Sequence, residues 1–549
     1  MKKRLLALVS ASLISCFCTA CFSGSVNTTD SVVKNLPAKV DLRNYDGKNY
    51  VTPVKRQSFG DCWSFSLAGS AETAYLYANH MGVDAGELNN NVDFSEKYIA
   101  WYMYHGMTDE DVVKGKVKAS QVGEGFDPKE AEAFDANAVF DIGGEFVHYG
   151  NLFGSGFGPV DENTTVNHQT PYVYQSASDK SRGLPLNAQY RSIPQKAFLR
   201  SSLVLPSPAK MDSQGKYSFD EEGLKAIKSE LYKGHGVSLA INVSNDAFIP
   251  DHTAVCYDGN NAADHAVVAV GYDDDFPKEN FVERDENGNI KRGSLPPQNG
   301  ALIIKNSWGT VDSEEDGFFY LSYYDHSICS LMSYEFDNHQ NVKHTDINYD
   351  QYDFMMTEWY ANAEYNDETK TANVFEAEEN ESLFQISYIT SLPDTEAVYE
   401  IYTDIEDTPS SGRLLEKGEN RHTFAGFHKI DLKGEYALRE GERYAVVMTM
   451  KRAGDDGSVV YTETFPYSTK FSTGLNVTGI VNQGESYLYR NGKWTDMSEM
   501  KDSLIEQAYR QLNERLGSKE TFTKISLDSK DTFTVDNYPI KAILTPDSH

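Results

Sequence analysis

The 549-residue sequence has little cysteine, six residues, and little positive charge, 50 Lys and Arg against 82 Asp and Glu, for a formal net charge of −32. The shortage of base excludes nucleic acid as a partner, because phosphate binding needs clustered Lys and Arg. The plain consequence of the acidity is a soluble, non-sticky surface. Long apolar runs are also missing, since no segment reaches the ~18 residues of a membrane helix. Gly (40) and Pro (18) stand near average, which excludes a low-complexity chain. Aromatic residues are plentiful instead, with 34 Tyr and 28 Phe. A chain of this length can bury a large core in two or three domains.

Residues 1–20 read as an export signal. Met1-Lys2-Lys3-Arg4 is a basic start, followed by an apolar stretch from Leu5 to Phe17 that is too short to span a bilayer. Cys18-Thr19-Ala20 puts small residues where a signal peptidase cuts. Ala20-Cys21 also resembles a bacterial lipobox, in which Cys21 carries lipid and becomes the mature N-terminus. Lipid anchoring and free secretion both stay open, and the membrane is expected as a partner only through such an anchor. Residues 21–35 suit a tether. The expected location is extracellular or at the cell surface, where disulfides are permitted. Four cysteines then remain: Cys21, Cys62, Cys256 and Cys329.

From Cys62 the apolar spacing turns helical through Trp63, Leu67, Ala71, Ala74, Tyr75 and Ala78, with Gly82 as the expected stop. Residues 98–103 continue this helical half, and 220–232 form a short amphipathic helix. Gly154-Ser155-Gly156-Phe157-Gly158 marks sharply bent backbone, but it lacks the Lys-Ser/Thr ending of a phosphate loop. Strand character follows at 237–243, 266–272, 301–305 and 318–323, with a hairpin turn at Asn287-Gly288. A polar boundary falls near 337–350. Beyond it, short alternating runs read as a β-sandwich, interrupted by one helix over 499–516.

Three short stretches carry the chemistry. Gln57 and Cys62 precede the first helix, His265 opens a strand, and Asn306 closes another. Free N–H groups at a helix start favour a thiolate. A neutral imidazole beside the thiol can take its proton. An Asn carbonyl can orient that imidazole without cancelling its charge. A Gln amide, with the cysteine's own N–H, can hold a tetrahedral oxyanion. Each residue alone is more often structural. Together they fill the roles of one acyl-transfer mechanism that calls for no cofactor and no metal.

With their flanks, these residues resemble the papain-like cysteine peptidases. The matching pieces are Leu36-Pro37-Ala38-Lys39-Val40-Asp41-Leu42-Arg43, Val51-Thr52-Pro53-Val54-Lys55-Arg56-Gln57, Gly60-Asp61-Cys62-Trp63-Ser64-Phe65, Asp264-His265-Ala266-Val267 and Lys305-Asn306-Ser307-Trp308-Gly309. The resemblance spans residues 36–336. It implies an α+β class: a two-lobed fold, one lobe helical and one β-barrel-like, acting on a protein or peptide substrate through an acyl-enzyme. It casts Cys62 as nucleophile, His265 as base and then acid, Asn306 as orienter and Gln57 as oxyanion donor. Gly143-Gly144 would align an extended substrate. Glu145, Phe146, Ala240 and Ala266 would line the specificity pocket, and Trp308 would shield the His265–Asn306 contact. Cys256 and Cys329 stand where one of the family's disulfides does.

There are four departures from the family's pattern. Phe59 replaces the usual second cysteine, and the loop from Gln57 to Cys62 is one residue short. Insertions fall near 105–200 and 274–299, because His265 follows Cys62 by about 200 residues where ~130–150 is usual. The sequence before Leu36 leaves no room for the family's inhibitory propeptide. Residues 345–547 are similar to the lectin-like β domain of some bacterial surface proteins, which implies a cell-surface glycan as a partner; Trp359 and Trp494 are open to two readings, exposed aromatics that stack on sugars or core and edge packing. Two other uses of the scaffold stay open. One is a surface adhesin on a decayed peptidase. The other is the same acyl-enzyme spent on transpeptidation or cell-wall amide cleavage.

Overall fold

Helix α1 (Cys62–Ala78) carries apolar or small residues on every side, a composition that demands enclosure all round. In the computed structural model its residues from Cys62 to Leu76 are all buried. Serines fasten it to the neighbouring sheet: Ser66 Oγ donates to the Val267 carbonyl (2.6 Å) and Ser70 Oγ to that of Gly236 (2.5 Å). A Cβ at Gly69 would sit 3.3 Å from Val268 Cγ2, so the missing side chain sets how closely helix and sheet approach. The helix ends before Gly82, at Asn79, whose N–H bonds back to Tyr75. The described residues are 27–547, except 29, 114–116, 127–137, 142, 145, 164–185, 187–190, 192, 213–214, 245, 251–252, 311–315, 341, 455, 471–475 and 518–529. The export signal, Cys21 and Glu145 therefore lie outside the description. Among the described residues no helix is long and apolar enough to cross a membrane.

The fold is α+β. The larger sheet has thirteen strands, in chain order β1 (Lys39–Asp41), β2 (Leu199–Leu205), β3 (Val237–Ile241), β4 (Phe248–Ile249), β5 (Ala254–Val255), β6 (His265–Asp273), β7 (Ala301–Lys305), β8 (Phe318–Ser322), β9 (Cys329–Phe336), β10 (Asn348–Asp350), β11 (Glu381–Thr390), β12 (Ala425–Leu438) and β13 (Ile540–Pro546). Their spatial order is β4-β5-β8-β7-β6-β3-β9-β2-β12-β11-β13-β10, with β1 on β6. Strands β3, β6 and β7 are buried along nearly their whole length, which explains their almost continuous apolar sequence. The hairpin at Asn287-Gly288 is present, with Val282–Arg284 paired to Ile290–Gly293 and Gly288 at φ 82°. Among the described residues a second sheet of ten strands completes the C-terminal sandwich. Within the segment expected as a tether, Asn27–Thr28 pairs with Asn420 and Arg421 of that sheet, and Asp30 accepts the Phe424 N–H (2.9 Å).

The larger sheet crosses the polar stretch at 337–350. Strand β2 pairs with β9 on one side and β12 on the other, in the register Val204↔Ala425 to Ser201↔His428. One apolar cluster follows it, from Trp63 and Tyr98 through Phe153 and Phe336 to Phe354, Tyr388 and Phe427. The glycine-rich stretch is the seat of this contact. A Cβ at Gly154 would meet Phe427 Cε2 at 2.6 Å, and one at Gly156 would meet Tyr349 Cε2 at 2.6 Å. Trp359 is 4% exposed and belongs to this cluster, so it is a core residue and not a surface aromatic. Its long apolar ring outweighs what its polar edge gains from water. Trp494 is half-buried against Tyr489, and its Nε1 donates to Ser410 Oγ (3.1 Å).

Two buried charge networks hold the frame. Beneath α1, Glu72 accepts Thr52 Oγ1 (2.5 Å), the Phe94 N–H (2.8 Å) and Lys55 Nζ (3.3 Å), with Lys305 Nζ 3.8 Å away. Removing one partner from a buried ion pair strands the other. Glu72→Ala is therefore expected to cost about 3–5 kcal/mol, read as a lower denaturant midpoint. The second network gathers Glu124, Asp353, Glu358 and Asp536, with Lys541 Nζ 2.5 Å from Asp353. Burial raises the pKa of all four carboxyls, that of Asp536 to about 7. The folded state thus holds protons that the unfolded chain releases near pH ~4. This part of the stability is full in acid and is lost as pH rises toward about 7. The unfolding midpoint should fall between pH 5 and pH 8, and less steeply in Asp536→Asn. Equal slopes in the two proteins would count against this account.

Candidate active site

Cys62 is the first residue of α1, and Asp61 before it makes no side-chain cap. The cysteine is 7% exposed. Its thiol lies within reach of the Ala266 backbone on β6, which brings the helix start against the strand that begins with His265. Burial pushes the thiol pKa up to about 11, and burial lowers that of the His265 imidazole. Taken singly, each group is neutral at neutral pH. Moving the thiol proton to the imidazole creates both charges together, and each offsets the other's burial.

His265 and Asn306 are joined directly, Nε2 to Oδ1 at 2.8 Å. The same Oδ1 accepts the Ser307 N–H (2.8 Å), which fixes the amide orientation and makes Nε2 the ring donor. Nδ1 is then the nitrogen with a lone pair. Trp308 stacks on the imidazole at 4.6 Å between ring centres and 27° between planes, with its outer face in solvent. The loop that carries it is pinned by a bridge between Arg56 and Trp308 and by the Gly309 N–H on the Lys55 carbonyl.

Gln57 belongs to the same bridge. Its N–H donates to the Ser307 carbonyl (2.8 Å), and its side-chain oxygen accepts Ser307 Oγ (2.6 Å). One N–H of its amide is spent on the Phe59 carbonyl (2.8 Å) inside the short loop, which leaves the second. Phe59, at the missing cysteine's position, stacks on Phe140 (5.5 Å).

Ala240 and Ala266 face each other across β3 and β6, and Cys329 opens β9 opposite Ala240. Phe146 is buried in the cluster that includes Cys62. Gly143 has φ 85°, a backbone open to glycine, and its carbonyl accepts Tyr104 Oη. Gly144 next to it is buried.

The expected disulfide is not formed. Cys256 and Cys329 both remain thiols. Cys256 is buried with Ala254, Phe281 and Ala301, and Ser322 is its hydrogen-bond partner. Cys329 packs against the other cluster, with Cys62, Ala240 and Ala266. The two sulfurs thus serve different apolar layers. The sequence reading also passed over Asp61, whose signal was a carboxylate directly before the cysteine. It is fully buried, and neither carboxyl oxygen has a well-formed hydrogen bond. Burial, with Glu96 and Asp141 nearby, holds its pKa well above the carboxylate range.

A model of the papain family of cysteine proteases matches residues 149–338, and a lectin like domain model matches residues 351–509. The first match contains His265 and Asn306 and begins after Cys62, which joins them through the fold. The structure is similar to that of the clostridial cysteine protease Cwp84 after propeptide cleavage, at 19% identity and a TM-score of 0.60, over 91% of this chain and 97% of that one. It is also similar to a structure of the cysteine protease and lectin-like domains of Cwp84, a surface layer associated protein of Clostridium difficile. That match has 18% identity and a TM-score of 0.59, over 95% of this chain and 91% of that one. At these identities the likeness shows the fold. No curated protein matches the sequence. Residues 149–338 thus match the papain family of cysteine proteases and residues 351–509 a lectin like domain, in a chain whose fold is that of a papain-like peptidase followed by a lectin-like domain.

Proposed function

We propose that this protein is an exported endopeptidase that cleaves peptide bonds through a thioester on Cys62. The observation that carries the reading is the 2.8 Å contact of Asn306 with His265, which begins the strand that meets the start of α1. His265 Nδ1 takes the thiol proton, and Sγ attacks the substrate carbonyl. The Cys62 N–H and the second amide N–H of Gln57 hold the oxyanion. The imidazolium then gives its proton to the leaving amine, which breaks the C–N bond and leaves the thioester. Water, deprotonated by His265, hydrolyses that thioester and restores the thiol.

Residues 36–336 form the peptidase domain in this reading, and residues 345–547 the lectin-like domain. The backbone of Gly144 offers an edge to an extended substrate, because the Gly143 carbonyl is already occupied. The basic-then-apolar start of the chain supports export, as does the surface layer association of Cwp84. Cys21 is the candidate lipid site, and mass spectrometry of the mature N-terminus distinguishes an anchored from a freely secreted form.

Cys62→Ala should abolish cleavage of a peptide library. His265→Ala should lower kcat by about 10²–10⁴. Iodoacetamide should alkylate wild-type Cys62 at neutral pH. In His265→Ala the alkylation profile should move toward the thiol's own value, about 11. Equal alkylation rates at pH 7 in the two proteins would sink the assignment of His265 as base. Asn306→Ala should broaden the pH–rate profile and lower kcat with little change in KM, because it frees the imidazole and not the substrate.

A further inference from the structure

A cavity of about 280 Å³ opens where residues 117–118 meet two stretches of the lectin-like half, 348–354 and 378–381. None of Gln57, Cys62, His265 and Asn306 lines it, so it is a separate space from the candidate active site. Its charge is one-sided. Asp350, Glu378, Glu379 and Glu381 line it against one cation, Lys118. That cation is already engaged: Nζ lies 3.4 Å from Asp350 Oδ1 and over the Tyr352 ring, 5.3 Å from its centre. Asp350 also accepts Tyr444 Oη (2.5 Å). The other carboxyls are held in place. Asn348 Nδ2 donates to Glu379 Oε1 (3.0 Å) and to Glu381 Oε2 (3.2 Å), so one amide sets two carboxylates side by side. Glu381 is 2% exposed, and burial beside Asp350, Glu379 and Glu378 raises its pKa to about 7.

Gln351 is the second and independent sign of a ligand. It lines the same cavity and is 2% exposed, yet its Oε1 has no hydrogen-bond partner among the described residues. Its Nε2 is spent on the Ser155 carbonyl (3.0 Å), and Ser155 is not part of the lining. The spent end of the amide thus turns elsewhere, and the unspent end is left for the cavity. A buried acceptor without a donor costs about 1–3 kcal/mol, which a donor placed in the cavity would recover. The groups on offer are therefore carboxylates and an amide oxygen, all of them acceptors. They call for a cation with several N–H donors. A protonated amine has three donors and no acceptor. Among the described residues no three His, Cys, Asp or Glu side chains are placed to hold a metal ion, which favours a cation that reaches its partners through N–H groups.

We propose that this cavity binds a protonated aliphatic amine, held by Glu379, Glu381 and Gln351 Oε1, while Lys118 keeps Asp350. The chemistry has two sources: a free polyamine, or an amino sugar whose nitrogen carries no acyl group. The site is apart from Cys62, so the peptidase reading stands or falls without it.

The test is calorimetric titration of the full chain with spermidine, glucosamine and N-acetylglucosamine at neutral pH and low salt. Spermidine or glucosamine should bind at one site, and the tighter of the two names the source. N-acetylglucosamine, which carries no cation, should not bind. Glu381→Gln and Glu379→Gln should each weaken binding by about tenfold or more. Lys118→Met removes the competing cation and should tighten it. Spermidine stays protonated between pH 5 and pH 8, so its affinity should rise across that range as Glu381 ionises, and the rise should vanish in Glu381→Gln. A wild-type near-ultraviolet circular dichroism spectrum shows that a variant is folded. Glu379 is exposed, so its variant tests the site even where the buried Glu381→Gln fails to fold. Equal affinity in wild type and the folded variants means a diffuse attraction to a chain at −32, and overturns the proposal. N-acetylglucosamine binding as tightly as glucosamine overturns it too, as does binding of calcium with no binding of either amine.

Discussion

The pairing of β2 with β12 is the constraint on which the rest depends. Four residue pairs, from Val204↔Ala425 to Ser201↔His428, make one sheet of what the chain supplies in two halves. Strand pairing forces side chains on both halves into a single alternation of faces. The apolar face on one side of that seam is the shared cluster that contains Cys62, Phe146 and Phe427. The salt bridges of Arg200 and Lys429 with Asp337 then bind the same edge from the polar side. A lectin-like part fixed in this way is a structural wall of the enzyme, not a module on a string.

The chemistry depends on burial as much as on contact. Burial raises the pKa of the thiol and lowers that of the imidazole, and in the proposed mechanism their exchange of a proton makes the two charges together. Asn306 and Trp308 act on the imidazole alone, one fixing its rotation and the other covering its face. Asp61 adds a carboxyl at the helix start, where its ionised form would oppose a thiolate. Burial raises the pKa of that carboxyl, which works against its ionised form.

The motifs around Cys62, His265 and Asn306 were legible because each holds its flanks in a fixed local pattern. Strands β3, β6 and β7 were legible for a related reason: burial on both faces writes itself as an unbroken apolar run. What the sequence could not disclose were pairings between distant segments. The glycines at 154 and 156 read as a bent loop, but their purpose is to admit Phe427 and Tyr349, and those rings come from the other half. Trp359 was open to either a surface or a core place, and only the second layer reveals what covers it. The two cysteines looked like a pair from their positions in the chain, yet they face different layers. Gln57 was found by type and position, whereas its engagement with Phe59 and Ser307 depends on the shortened loop.

The seam also bears on the order in which the molecule takes shape. Arg200 and Lys429 touch across 229 residues of chain, and β13, at 540–546, is a neighbour of β11 in the same sheet. Contacts so far apart in sequence must be closed against loop entropy, which slows folding. The strand that begins with His265 and the one that ends before Asn306 precede β13 by more than 200 residues, so the sheet that holds them is completed only when β13 is made. The sheet on which His265 stands is therefore closed only after β13 has joined it.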